Sequence, residues 1–132
     1  MATLDQERAA LAHRHVASFL EKDEGARKKY ATMVHKLPAL ITSAGLCQAL
    51  HFVQSRGNED QKELLDHLAK QLRRVDDEIR DADALLKKVR EAKLTTYLRL
   101  THEATLCASW YRRMVQGVLK IDHADADRGN ET

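Results

Sequence analysis

Residues that interrupt helices are scarce in this chain. Its 132 residues include one proline, Pro38, and five glycines, and only six are Phe, Trp or Tyr. Leu, Ala, Lys, Arg, Glu and Gln dominate instead, the residues that lose least on entering a helix. The fold class is therefore all-α, and a chain of this length is expected to build one compact single-domain bundle of about five to six helices. No apolar run reaches the roughly 18 residues that a membrane span requires, and the opening MATLDQER lacks the basic-then-apolar order of a signal peptide. A cytoplasmic protein with no membrane partner is expected. The only cysteines, Cys47 and Cys107, stand far apart with no CxxC, each within an apolar helical pattern. Small buried side chains fit that pattern better than a disulfide or a metal pair.

Catalytic and metal motifs are missing too. A ferritin-like di-iron site needs Glu-x-x-His, and none of the seven histidines has Asp or Glu three residues before it. His102-Glu103 begins an HExxH pattern, but position 106 is Leu, so the second zinc ligand is lacking. Glu63 and His67, one turn apart, read as a surface pair, and His15 and His51 as hydrogen-bonded groups on or near apolar faces. No GxSxG and no glycine-rich phosphate loop occurs. No enzyme, cofactor or metal is expected.

What is present is a series of amphipathic stripes. Thr3 followed by Gln6 has capping-box form, and Leu11, Ala12, His15, Val16 and Phe19 share one side of a helix running to about Lys22. From Ala26, the residues Tyr30, Met33, Val34 and Leu37 form a second stripe, which Pro38 is expected to end, since the residue before a proline resists helical geometry. Pro38 to Ser55 then reads as a central helix apolar on nearly every side, with Gly45 inside it at a cost of about 1 kcal/mol. Gly57 is expected to supply a left-handed stop, and Asn58 with Gln61 a fresh start.

Leu65, Leu68, Leu72, Val75, Ile79, Ala82, Leu86 and Val89 alternate steps of three and four, a heptad seam flanked by charge. Two arrangements fit. One helix could span Asn58 to Ala92, or the acidic cluster Asp76, Asp77, Asp81 and Asp83 could cap a break; the break suits a compact domain better. A last helix, about Thr95 to Ile121, is expected to bury Tyr97, Leu100, Ala104, Cys107, Ala108, Tyr111, Val115 and Val118. This gives a helical domain over 1–121, followed by a tail over 122–132, DHADADRGNET, that reads as disordered.

Carboxylates are also absent from one whole region. Between Glu24 and Glu59 there is no Asp or Glu, while Arg27, Lys28, Lys29, Lys36 and Arg56 give the segment +5, leaving −3 for the rest of a chain whose net charge is +2. Lys29 and Lys36, seven apart, line up on one side of a helix, with Lys28 and His35 beside them. Such a face is either simply solvated or meets a polyanion. On the last helix, Leu106 and Trp110 lie at the edge of the buried arc with Arg99, His102, Arg113 and Lys120 behind them. Trp beside Arg has the look of a partner interface, unless a neighbouring helix covers it.

Taken in order, Lys36-Leu37-Pro38, Gly45-Leu46, Ala49-Leu50 with Phe52, Tyr97-Leu98-Arg99-Leu100-Thr101 with Glu103, and Trp110-Tyr111-Arg112-Arg113 resemble the small all-α subunit of type III-B (Cmr) CRISPR effector complexes, over roughly Tyr30 to Val118. The resemblance implies a non-catalytic protein that stacks in copies along guide RNA and target RNA, between the large subunit and the backbone subunits. Under it, Lys29, Lys36, Arg56, Arg112 and Arg113 become RNA-phosphate contacts, and Leu106 and Trp110 a partner interface. The competing expectation is a helical protein-protein adaptor that pairs through the Leu65–Val89 seam without nucleic acid.

Overall fold

The computed structural model of the protein describes residues 1–122. Over them the chain forms six α-helices and no strand: α1 Leu4–Ala17, α2 Glu24–Ala44, α3 Leu46–Arg56, α4 Glu59–Leu72, α5 Ala82–Glu91 and α6 Leu94–Gly117, with a short 3-10 helix, Ser18–Glu21, between α1 and α2. The all-α class and the helix number agree with the sequence reading. Residues 123–132, nearly all of the tail, lie outside the described residues.

Helix starts follow local chemistry. Thr3 with Gln6 on α1, and Asn58 with Gln61 on α4, form the expected capping boxes: the cap side chain accepts from the backbone N–H three residues on, and the glutamine side chain accepts from the cap's own N–H. Amides that have no partner inside the helix are thereby satisfied. Asp23 and Asp81 cap α2 and α5 more simply, each accepting from the backbone N–H three residues on, Ala26 and Ala84.

Pro38 does not end a helix. Helix α2 runs through it, although proline removes one hydrogen bond and crowds the carbonyl four residues back. Burial of Tyr30, Met33, Val34 and Leu37 before it and Ile41 after it holds the helix on course. The interruption falls at Gly45, whose φ of 88° is a conformation few other residues tolerate. The helix expected over Pro38–Ser55 is therefore the end of α2 plus all of α3. Having no side chain, Gly45 cannot cap α3; Tyr97 of α6 does so from 50 residues away, its hydroxyl accepting from the Cys47 N–H at 2.9 Å. Nor is α3 buried all round, for Cys47 and Phe52 are half-buried and Gln48 is exposed. Gly57 has φ −78°, so it is not a left-handed stop. It is needed for room, because a Cβ there would lie 2.5 Å from the Val53 carbonyl oxygen.

The Asn58–Ala92 run is broken. After α4 the chain turns at 73–81, where the Arg73 guanidinium donates to the carbonyls of Ile79 and Arg80 at 3.0 and 2.6 Å, and Asp76 holds Lys88 at 2.9 Å. The seam thus folds back into the domain. Leu65, Leu68, Leu72, Ile79, Leu86 and Val89 are all buried, and Val75 and Ala82 pack against them half-buried. Leucines already covered by their own chain leave no seam for a partner helix, which removes the basis of the adaptor reading.

Helices α2 and α6 pack against each other and both contact α4; α3 flanks α2, and α1 flanks α6. A buried polar row threads this junction. The rings of His15 (α1) and His67 (α4) stack 4.1 Å apart; His15 Nδ1 lies 2.6 Å from the Tyr111 hydroxyl (α6), and His67 Nδ1 lies 2.8 Å from that of Tyr30 (α2). Gln71 adds bonds to the Arg8 carbonyl and to Tyr111. His67 is therefore a core residue, not a surface partner of Glu63, whose carboxylate takes Lys22 at 3.2 Å. Burial keeps both imidazoles neutral, lowering His15 to about 4 and His67 to about 3.

Candidate functional site

Residues 25–58, most of α2 and all of α3, contain no carboxylate, and residues 92–121, which include all of α6, contain one, Glu103. Its position decides what α6 presents outward. Glu103 is buried: Arg8 of α1 donates to it from Nε at 2.6 Å and from Nη2 at 2.9 Å, and Arg74 reaches it at 3.3 Å. The paired Arg8 guanidinium holds this carboxyl below the usual range despite burial. The nearby Cys107 thiol is pushed up to about 12, by burial first and then by Glu103, so it is no nucleophile at neutral pH. With Glu103 turned inward, α3, α6 and α2 beyond its first turn expose cations and no anion.

The expected contact residues are distributed along this surface. Lys29, Arg56, Arg112 and Arg113 are exposed and Lys36 is half-buried. None of the five has a carboxylate within ion-pair distance among the described residues. Lys28 differs, being paired with Glu24 at 3.2 Å. His35, expected beside Lys29 and Lys36 on the surface, is buried with Nε2 3.1 Å from the Ile121 carbonyl. Arg99 and Lys120, also exposed, extend the cationic face along and beyond α6. Charge counting along the sequence stops short of α6 because it takes Glu103 as surface charge, and the partner that buries it, Arg8, lies 95 residues away.

Leu106 and Trp110 are both half-buried. The Trp110 indole N–H donates to Asp5 of α1 at 2.9 Å, and the same carboxylate takes Arg8 at 3.3 Å. Trp110 is thus tied to the start of α1, with part of its surface left to solvent. Several grooves remain open, and two of them are the most apolar. The larger, about 680 Å³, lies between the end of α2, the outer side of α3 and Tyr97, and is lined largely by Leu40, Ala44, Cys47 and Phe52. The second, about 400 Å³, is lined by Leu4, Val75 and Leu98 beside Arg74 and Arg99. Among the described residues no group of three or more His, Cys, Asp or Glu could hold a metal ion, and no helix is long and apolar enough to cross a membrane.

Against known proteins, the family described as CRISPR-associated protein (Cas_Cmr5) matches residues 4–118. The chain is 44% identical over 99 residues to the CRISPR system Cmr subunit Cmr5 of Thermus thermophilus, covering 75% of this chain and 82% of that protein. The crystal structure of a CRISPR-associated Cmr5 family protein from the same organism superposes with a TM-score of 0.77 at 40% identity, covering 90% of this chain and 99% of that one.

Proposed function

This chain belongs to the Cmr5 family of CRISPR-associated proteins, and from that membership we propose that it is a non-catalytic subunit of a cytoplasmic type III-B Cmr complex that contacts RNA through the carboxylate-free surface of α2, α3 and α6. It is a Cmr complex subunit, and in this reading it stacks in copies along guide and target RNA, beside the large and backbone subunits. Leu106 and the exposed part of Trp110 then meet a protein neighbour. The observation that supports RNA contact is the burial of Glu103, which leaves an acid-free surface on helices that pack against each other. The helices themselves, beyond the first turn of α2, present no repelling carboxylate to a polyanion, and phosphate contacts of this kind hold a strand without reading its bases. Sequence is then read by guide-target pairing, as in other RNA-guided effectors.

The test is target-RNA affinity of a reconstituted complex across a salt series, comparing wild type with Lys29→Glu/Lys36→Glu. Charge reversal should weaken binding about equally for unrelated sequences and lower the salt slope by roughly 0.7 for each single-strand phosphate no longer neutralised. Unchanged affinity and slope in a normally assembled complex would refute RNA contact at this surface.

A further inference from the structure

The larger groove has a counterpart on the same molecule. Its lining is mostly apolar and holds no carboxylate. Its edge is basic: the Arg56 guanidinium sits 5.8 Å over the Phe52 ring, and Arg90 Nη1 lies 3.4 Å from Nε2 of His51, a lining residue. A well-matched occupant is an apolar side chain ringed by carboxylates.

Among the described residues the exposed large apolar side chains are Met1, Leu4, Leu20, Leu94 and Leu98. Leu94 follows Lys93 and Leu98 precedes Arg99, so both would bring cations to a basic rim. Leu4, followed by Asp5 and Glu7, is itself part of the lining of the smaller groove, with Arg74, Arg99 and Glu103, and Met1 has no carboxylate within three residues of it in sequence. Leu20 has the most acidic uncommitted surroundings, because Lys22 beside it is taken by Asp60 and Glu63, whereas Asp5 beside Leu4 is held by Arg8 and Trp110. It is 50% exposed on the 3-10 helix before α2, with Glu21, Asp23 and Glu24 following it closely. Phe19 beneath it is buried and stacked on Tyr30 at 4.1 Å, which fixes the corner to the core.

The corner and the groove lie toward opposite ends of α2. From Glu24 to Leu40 the helix rises about 24 Å. A knob at one end and a socket toward the other cannot satisfy each other within one molecule; an antiparallel two-fold pair would close both, but copies stacked in one orientation leave a free knob and a free socket. Contacts of that type propagate into rows instead of closing into dimers.

We propose that the Leu20 corner of one copy docks into the Leu40–Phe52 groove of the next, with Glu21 of the first facing Arg90 of the second. This deepens the stacking reading given above and rests on it. The test reconstitutes the Cmr complex with full-length subunit variants and counts copies per complex by native mass spectrometry. Leu20→Ser, Glu21→Arg and Arg90→Glu all alter exposed side chains, and their melting temperatures should stay at the wild-type value. Each should lower the copy number or weaken copy-to-copy association about tenfold, whereas Glu21→Arg/Arg90→Glu, which restores opposite charges across the contact, should recover it. Several copies of wild type and of every single variant would overturn the assigned faces and leave stacking itself standing. Loss in the single variants with no recovery in the double would likewise overturn the pairing. A wild-type complex with one copy would remove stacking and the docking contact together.

Discussion

In α4, α5 and the turn joining them, residues 59–91, ten carboxylates stand among eight cations; in residues 25–58, most of α2 and all of α3, five cations stand among no carboxylates. The first region commits much of its charge internally. Lys88 lies between Asp76 and Glu78, Lys22 reaches Asp60 and Glu63, and Arg74 points back to Glu103. In the second region, Lys29, Lys36 and Arg56 have no ionic partner among the described residues. Charge that is consumed inside a fold sets its shape, and charge left unopposed is available to something outside it. Helix α6 belongs to the second region only because α1 and the turn after α4 supply the arginines that bury its one carboxylate.

Three measurements would break or sharpen this contrast. The largest effect is expected at the junction of the two regions. Glu103→Ala strands the buried Arg8 guanidinium without its main partner, a change that typically costs about 3–5 kcal/mol, measured by urea unfolding. A loss below about 1 kcal/mol would mean that Arg8 finds water or Asp5 instead, and that Glu103 does not organise α6.

Acid comes next. Burial keeps His15 and His67 neutral in the folded protein, so the unfolded chain binds more protons once pH drops below about 6.5, the ordinary value for imidazole. Stability is then lost progressively as pH falls from about 6.5 toward about 4 for His15 and about 3 for His67. For a site as buried as His67 the slope approaches about 1.4 kcal/mol per pH unit. Glu103, held low by Arg8, adds to the loss once pH falls below the ordinary carboxyl value of about 4.5. Unfolding midpoints at a series of pH values should show this, and His67→Gln should flatten the slope. An equally steep curve in that variant would place the acid sensitivity elsewhere.

The smallest effect is expected on the open surface. Lys29→Gln/Lys36→Gln should change stability by no more than about 0.5 kcal/mol, because neither side chain is committed to an ion pair. A larger loss would show that these cations serve the fold.

Much of this architecture is legible in the sequence, and the misses share a cause. Both capping boxes, the break before α5 and most of the buried stripe of α6 follow from groups three or four residues apart, and local spacing reports them faithfully. The end of α2 does not follow that way. Proline's local preference argues for a stop at Pro38, while burial on either side carries the helix seven residues further to Gly45. The one-turn spacing of Glu63 and His67 suggests a surface pair, yet Tyr30, 37 residues distant, holds His67 in the core.

By itself, then, the sequence determined the helical class, where most helices begin, and the exclusion of carboxylates from residues 25–58, since composition and short-range hydrogen bonding are written in neighbouring residues. Only the tertiary structure decided that the heptad seam turns inward, that Tyr97 caps α3 and that α6 joins the cationic surface. Each of those outcomes depends on partners brought together from distant parts of the chain, and the Arg8–Glu103 pair, 95 residues apart and closed at 2.6 Å, is the clearest case.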